Sequence, residues 1–343
     1  MSRFLEALLA KKSAVGRGRR AACIALALIC AAVLLLIVFR FREFLAAISE
    51  AGRYLNYKFM QRALIAGVLV ALCAALLGVT LVLKRYSMIG DGLSHVGFGA
   101  LSIAASLSFV TAESLPAFLP ESLRAGIANL CGSIANSPMP FTLVIVIALA
   151  FWVLRISSGH MRGDAAIAML STVALAVGVM VTSLTSGMNV DVMNYMFGSI
   201  LAMGESDVII SVVLSVIVLA LFVLFCNRIF AVTFDEPFAR ATGTPVNMYN
   251  MLIAVLTAVT VVLGMRMMGT MLISSLIIFP ALTSMRVFSR FKSVLVSSAI
   301  VSVVCFVIGI MLSCAWEIPA GAAIVLANFC AFILFALVGR IRA

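Results

Sequence analysis

Residues 59–101 read FMQRALIAGVLVALCAALLGVTLVLKRYSMIGDGLSHVGFGAL. From Ala63 to Leu83 there is neither a charged residue nor a proline. That is the length of a helix crossing the hydrocarbon core of a bilayer, which takes about 20 apolar residues. Lys84 and Arg85 interrupt the run, and a second apolar stretch begins at Met88. Such a pair reads as a transmembrane hairpin. Backbone in lipid must satisfy its own hydrogen bonds, and only helices or closed barrels do so.

The rest of the chain repeats the pattern. Of its residues 64% are hydrophobic and 11% charged, and the mean hydropathy is +1.23. A soluble domain carries about a quarter charged residues, so this surface meets lipid. After 63–83, spans are expected at 88–110, 140–154, 165–184, 208–226, 247–265, 267–285, 293–313 and 320–339, with a further one at the N-terminus, making about ten. The fold class is all-α, a polytopic transmembrane helical bundle of about nine core helices plus an extra N-terminal one. The break within GMRMMG, at 265–268, is short for a turn. Merging its two flanks would reverse the orientation of everything downstream.

The domain reading divides the chain at 58. Residues 1–58 hold a basic tail, an apolar run at 21–39 and the start of an amphipathic segment, 41–62, while 59–343 form the main membrane domain. The apolar run is long for a signal-peptide core, and no clear small-x-small cleavage site precedes Arg40–Glu43. It reads as an uncleaved anchor with its N-terminus inside. The amphipathic segment lies along the outer interface or is a solvated linker.

That orientation puts Lys84, Arg85, Arg155, Arg162, Arg228, Arg240, Arg286, Arg290, Lys292, Arg340 and Arg342 in cytoplasmic segments. Arg124, Arg266 and the cluster from Arg40 to Arg62 fall on the opposite side. The bias follows the positive-inside rule, although that cluster runs against it. The formal net charge of +11 therefore marks membrane topology rather than a nucleic-acid partner, which would need an exposed basic face. Eight cysteines include no CxxC pair and read as small buried hydrophobes. The stretch 111–139, with Pro116, Pro120, Pro138 and Pro140, reads as an outward-facing cap. The stretch SGMNVDVMNYMFGSILAMGESD (186–207) reads as a short helix returning to the side it left.

Chemistry concentrates in Tyr86–Ala100. Asp91 and His95 stand at i and i+4, on one side of a helix. Ionisable residues within a span are costly and usually face a pathway or partner. Carboxylate plus imidazole suits Zn²⁺, Mn²⁺ or Fe²⁺. Gly90, Gly92, Gly97 and Gly99 allow close packing or local unwinding. A plainer reading stays open, in which Asp91 caps the helix and His95 makes one interhelical hydrogen bond.

Other polar residues have plainer roles. Arg286 reads as an inner-surface anchor and Pro280 as a kink. His160 reads as solvated and Asp164 as a cap. Asp191 and Glu205–Asp207 bracket the returning helix as an acidic rim that attracts cations, or as solvated ends. In the loop Phe234–Gly243, Asp235 and Glu236 precede Pro237 as a helix start, and Gly243 is a stop. A short cytoplasmic helix there, with Phe238 and Ala239 inside it, offers a docking surface or is an ordinary loop helix. No G-x-x-x-x-G-K-[ST] loop occurs, so this chain does not itself bind and hydrolyse ATP in the usual manner, and no G-x-S-x-G or H-E-x-x-H occurs.

Four stretches carry a family resemblance: 59–101 quoted above, DVMNYMFGSILA (191–202), FDEPFARATG (234–243) and GTMLISSLIIFPALTSMRVF (269–288). Over about residues 55–338 the chain resembles the permease subunits of bacterial metal-ion ABC transporters, which import zinc, manganese or iron. The resemblance implies a homodimer or a pair of related permeases with the ion path at the interface. It implies cytoplasmic ATPase partners, an extracytoplasmic metal-binding protein and residence in the bacterial plasma membrane. Asp91 and His95 are implied to line the path. The loop containing Asp235, Glu236, Pro237, Phe238, Ala239 and Gly243 is implied to be the helix that contacts the ATPase. No cofactor is expected to be bound permanently, zinc being the first choice of cargo. The alternative is a proton- or sodium-coupled secondary carrier, for which Asp91 is nearly alone among intramembrane acids. The basic tail and first span look like an addition to the family core.

Overall fold

The computed structural model describes residues 57–109, 120–136, 138–157, 163–185, 198 and 205–342. All belong to the unit Tyr54–Ala343. The N-terminal anchor and most of the interfacial segment lie outside the described residues, as do His160, Asp191 and nearly all of the returning helix.

Among the described residues the regular structure is helical throughout. In chain order the helices are α1 (Lys58–Leu83), α2 (Ile89–Ser106), α3 (Glu121–Asn136), α4 (Pro138–Ser157), α5 (Gly163–Leu184), α6 (Glu205–Phe234), α7 (Glu236–Ala241), α8 (Val246–Met268), α9 (Thr270–Met285), α10 (Phe291–Trp316) and α11 (Ala320–Arg342). A 3₁₀ turn, Leu107–Phe109, follows α2. Each of the nine expected core segments is a helix. Six of these helices are long and apolar enough to cross a membrane on their own. The two that most clearly fall short are α9, at 16 residues, and α2, rich in glycine, serine and ionisable groups. Both are enclosed by other helices, so neither needs an apolar surface all round.

Burial sorts the bundle into a centre and a rim. The apolar windows of α1 and α8 are 72% and 78% buried, against 22% for α5 and α11. The reason is written in α1, whose inward positions are small: Ala63, Ala66, Gly67, Ala71, Ala74, Ala75 and Gly78 are all buried. Small residues let helix backbones meet in a medium that gives no hydrophobic drive between helices. At Gly78 the approach is extreme, since a Cβ there would stand 2.0 Å from the carbonyl oxygen of Ile277 on α9. The rim shows the opposite pattern, with Val213, Val216, Ile217, Val223 and Leu224 of α6 exposed as a lipid-facing surface would be. Two hydroxyls of α10 are bonded inward. Ser302 donates to Ala71 O at 2.9 Å and Ser298 to Ala75 O at 3.3 Å, which fastens α10 to α1.

The structure corrects several boundaries. The expected cap at 111–139 contains α3, and Pro138 and Pro140 lie in the first turn of α4 rather than in a loop. A proline there loses no hydrogen bond, because the first helical N–H groups have no intrahelical partner. Helix α6 runs 30 residues, about 45 Å, well past the expected end at Cys226. Polar Asn227 and Arg228 do not end a helix that has already left the apolar region. Pro280 sits inside α9, which continues to Met285. The break between α8 and α9 falls at Gly269, whose φ of 86° is open to glycine, so the flanking spans are separate.

Candidate functional site

The hairpin α1–α2 is closed by hydrogen bonds from end to end. Lys84 N donates to Thr80 O, Arg85 N to Val82 O and Tyr86 N to Leu81 O, with Arg85 in the left-handed region at φ 61°. This is the paired closure typical of a helix C-terminus, although the residue is arginine rather than glycine. Ile89 N then donates to Tyr86 O at 3.1 Å, and α2 begins.

Asp91 lies in the first turn of α2, where the helix N-terminus favours a negative charge. It does not cap the helix: the cap residue is Met88, with no side-chain cap bond. His95 follows one turn on, its Nε2 3.6 Å from Asp91 Oδ1. That distance is an ion-pair separation, long for a hydrogen bond. The Asp91 side chain is 42% exposed and that of His95 15%, so the carboxylate is the open member. From α9, the Ser274 hydroxyl lies 3.4 Å from the same Oδ1 while also donating to Thr270 O at 2.9 Å. Three oxygen or nitrogen groups thus converge from two helices.

Cβ atoms on Gly78 of α1 and on Gly90 of α2 would both meet Ile277 of α9, so the start of α2, and Asp91 with it, lies level with the last two turns of α1. The glycines of α2 fix that placement: Gly90 stands against Ile277, Gly92 against Ile167, Gly97 against Met265 and Gly99 against the carbonyl of Ala174. The helix is regular through all four, which makes them packing positions and not points of unwinding. Among the described residues no group of three or more His, Cys, Asp or Glu has metal-holding geometry.

A second assembly sits at the hairpin's tip. Asp235 caps α7, its Oδ1 accepting from Phe238 N at 2.9 Å, with Pro237 in the first turn. Gly243, at φ 79°, closes the helix, Thr244 N donating to Ala239 O at 3.0 Å. Ala239 is buried with Val232, Val246 and Tyr249, while Phe238 is 64% exposed. The helix thus stands on one alanine and presents an aromatic side chain outward. Removing the cap costs about 1 kcal/mol. We expect Asp235→Ala to raise amide exchange in Phe238–Ala241 about fivefold, read by hydrogen-exchange mass spectrometry, with exchange in α8 unchanged.

Glu236 accepts from Lys84 Nζ at 2.9 Å and from Asn250 Nδ2 at 3.1 Å, and Lys84 also donates to Asn250 Oδ1. Burial pushes the Glu236 carboxyl up, but the bonds from Lys84 and Asn250 and the charges of Lys84 and Arg240 outweigh it and hold the carboxyl below its ordinary range. The pairing therefore contributes in full above that range and is lost as pH falls through the lowered value.

At the other end of the bundle the expected acidic rim is neutralised where it is described. Glu205 pairs with Arg62, and Asp207 with Arg266 at 3.0 Å. These arginines are among the residues that ran against the charge bias, and carboxylates hold both. Arg286 ends α9 as expected and lies over the Phe332 ring at 5.2 Å. The Asp164 side chain is outside the described residues. Lys84 and Ser274 carry no sequence signal for these roles, because Glu236 and Asn250 on the one hand and Asp91 on the other are more than a hundred positions away from them.

The fold and the site define a polytopic helical membrane protein with an ionisable pair among its helices. The chain belongs to the ABC 3 transport family, whose model matches residues 56–339. It is 27% identical over 272 residues to the manganese transport system membrane protein MntC of Halalkalibacterium halodurans, covering 79% of this chain and 84% of the relative. To the high-affinity zinc uptake system membrane protein ZnuB of Haemophilus influenzae it is 29% identical over 273 residues, covering 79% and 94%. Among solved structures it resembles a chain of PsaBC from Streptococcus pneumoniae in complex with Fab, with a TM-score of 0.64 and 26% identity, covering 86% of this chain and 95% of that one. The protein is thus the integral membrane permease of an ABC metal-transport system, and in such systems a separate subunit supplies the ATPase.

Proposed function

We propose that this permease imports a divalent transition metal, zinc first and manganese or iron next, by alternating access driven by a partner ATPase. The observation that carries the reading is the Asp91–His95 pair, 3.6 Å apart on the second helix of the hairpin. Two such pairs, one from each protomer of a homodimer, supply two carboxylates and two imidazoles, a full tetrahedral set for Zn²⁺. A site used for transport must also release its ion, and two ligands per protomer allow release when the protomers separate. Relatives named for manganese and for zinc are consistent with a donor set that serves both.

In this reading Asp235, Glu236, Pro237, Phe238, Ala239 and Gly243 form the docking helix for a cytoplasmic ATPase, with exposed Phe238 as its contact. An extracytoplasmic metal-binding protein delivers the ion, and the complex resides in the bacterial plasma membrane. Residues 59–343 form the permease domain and 1–58 an added tail, anchor and interfacial segment.

The test is reconstitution in proteoliposomes with the ATPase and the binding protein, measuring ATP hydrolysis with zinc, manganese or iron. We expect stimulation by at least one of the three, largest for zinc. Metal uptake that proceeds without an ATPase and follows a proton or sodium gradient would replace this reading with the secondary carrier.

A further inference from the structure

Lys84 ends α1, where a lysine would ordinarily extend into water. Its side chain is instead only 8% exposed. A buried ammonium is tolerated when paired and hydrogen-bonded, and Lys84 is doubly bonded, to Glu236 of α7 and to Asn250 of α8. Asn250 in turn donates to Glu236. The three side chains form a closed ring drawn from three separate elements.

The ring ties directly what apolar packing joins only by way of α6 and α8. Docking helix α7 rests through Ala239 on Val232, Val246 and Tyr249, none of which belongs to the α1–α2 hairpin. Beside the ring is a cavity of about 900 Å³ lined by Lys84, Tyr86, Trp152, Glu236 and Arg240 among others, so this end of the bundle is not packed solid. From Lys84 toward Asp91, by contrast, there is no slack. The turn is tied by the bonds of Arg85, Tyr86 and Ile89, and Arg85 holds a left-handed conformation that a non-glycine residue keeps only where its surroundings fix it.

Resting on the proposed transport reading, we infer that Lys84 is a positioning residue: through Glu236 it fastens the docking helix to the hairpin that carries Asp91 and His95. Movement of α7 under the ATPase is thereby delivered to the ion-binding turn along hydrogen-bonded backbone. The mutual hydrogen bonds of the ring hold Lys84 and Glu236 in one geometry. Lys84 binds neither ion nor nucleotide.

The test is metal transported per ATP hydrolysed by the assembled complex in proteoliposomes, a ratio that a purely structural residue does not move. Lys84→Met removes the charge and keeps the stem. We expect the ratio to fall at least about tenfold, and Lys84→Arg or the reversed pair Lys84→Glu with Glu236→Lys to restore half of it or more. A Lys84→Met ratio within about twofold of wild type, or a reversed pair that assembles and stays uncoupled, overturns the inference. Should Lys84→Met not assemble, Asn250→Ala decides, because it keeps both charges and removes their brace. A ratio lowered about twofold or more supports the role, and an unchanged ratio overturns it. A wild-type complex without metal-dependent turnover removes the transport reading itself, and the inference with it.

Discussion

Asp91→Ala is expected to abolish metal uptake while leaving the protein in the membrane at normal levels. Asp91 is the more open member of the pair, 42% exposed against 15% for His95, and its side chain caps nothing. Its removal therefore takes away the proposed ligand and little packing. Loss of outer groups that merely orient a ligand costs about 10–100-fold in metal affinity, and loss of the ligand itself costs at least that. In a symmetric pair of protomers each substitution removes two donors at once. Uptake of radioactive zinc and manganese in cells expressing Asp91→Ala or His95→Ala should fall about 100-fold or to background. Wild-type uptake at normal protein levels would remove both residues from the ion path. Ser274→Ala should weaken uptake less, since its hydroxyl lies 3.4 Å from Asp91 and is also bonded to Thr270.

Gly78→Val should remove the folded protein altogether. The added Cβ would stand 2.0 Å from the Ile277 carbonyl oxygen and 2.9 Å from its carbon, and both belong to backbone inside a helix. No side chain can turn aside, so α1 and α9 must separate. Overpacking a well-filled core costs about 1–3 kcal/mol and occasionally more. Rigid walls on both sides put this site at the upper end. Detergent-solubilised Gly78→Val should give less than about a tenth of the wild-type monodisperse peak on size exclusion, given that a few kcal/mol is a large part of total stability. Gly132→Ala is the control: nothing lies within 4 Å of its Cβ position, and alanine favours the helix there. A normal Gly78→Val peak would mean that the α1–α9 approach is not as close as described.

The sequence made the class of the fold legible because hydropathy is a local quantity. Each of the nine core segments is a helix, and the break at Gly269 is real. The same logic misplaced boundaries wherever polarity and helix end part company. It stopped α6 near Cys226, because Asn227 and Arg228 look like the edge of a membrane, and it took Pro138 and Pro140 for a loop. A helix is ended by its hydrogen bonds and caps, not by its exit from an apolar layer.

The candidate site divides in the same way. The i, i+4 spacing of Asp91 and His95 is visible in the chain, as are Asp235, Pro237 and Gly243 as the start and stop of a short helix. What the chain alone determined is the polytopic helical class, the ionisable pair and the short helix begun by Asp235 and Pro237, because all three are set by neighbours within a turn or two. Tertiary structure alone decided that Ser274 faces the pair, that Arg62 and Arg266 hold Glu205 and Asp207, and that Lys84 is buried on Glu236. Those facts arise where helices distant in sequence are brought within a few ångströms, and no local pattern records which backbones will meet.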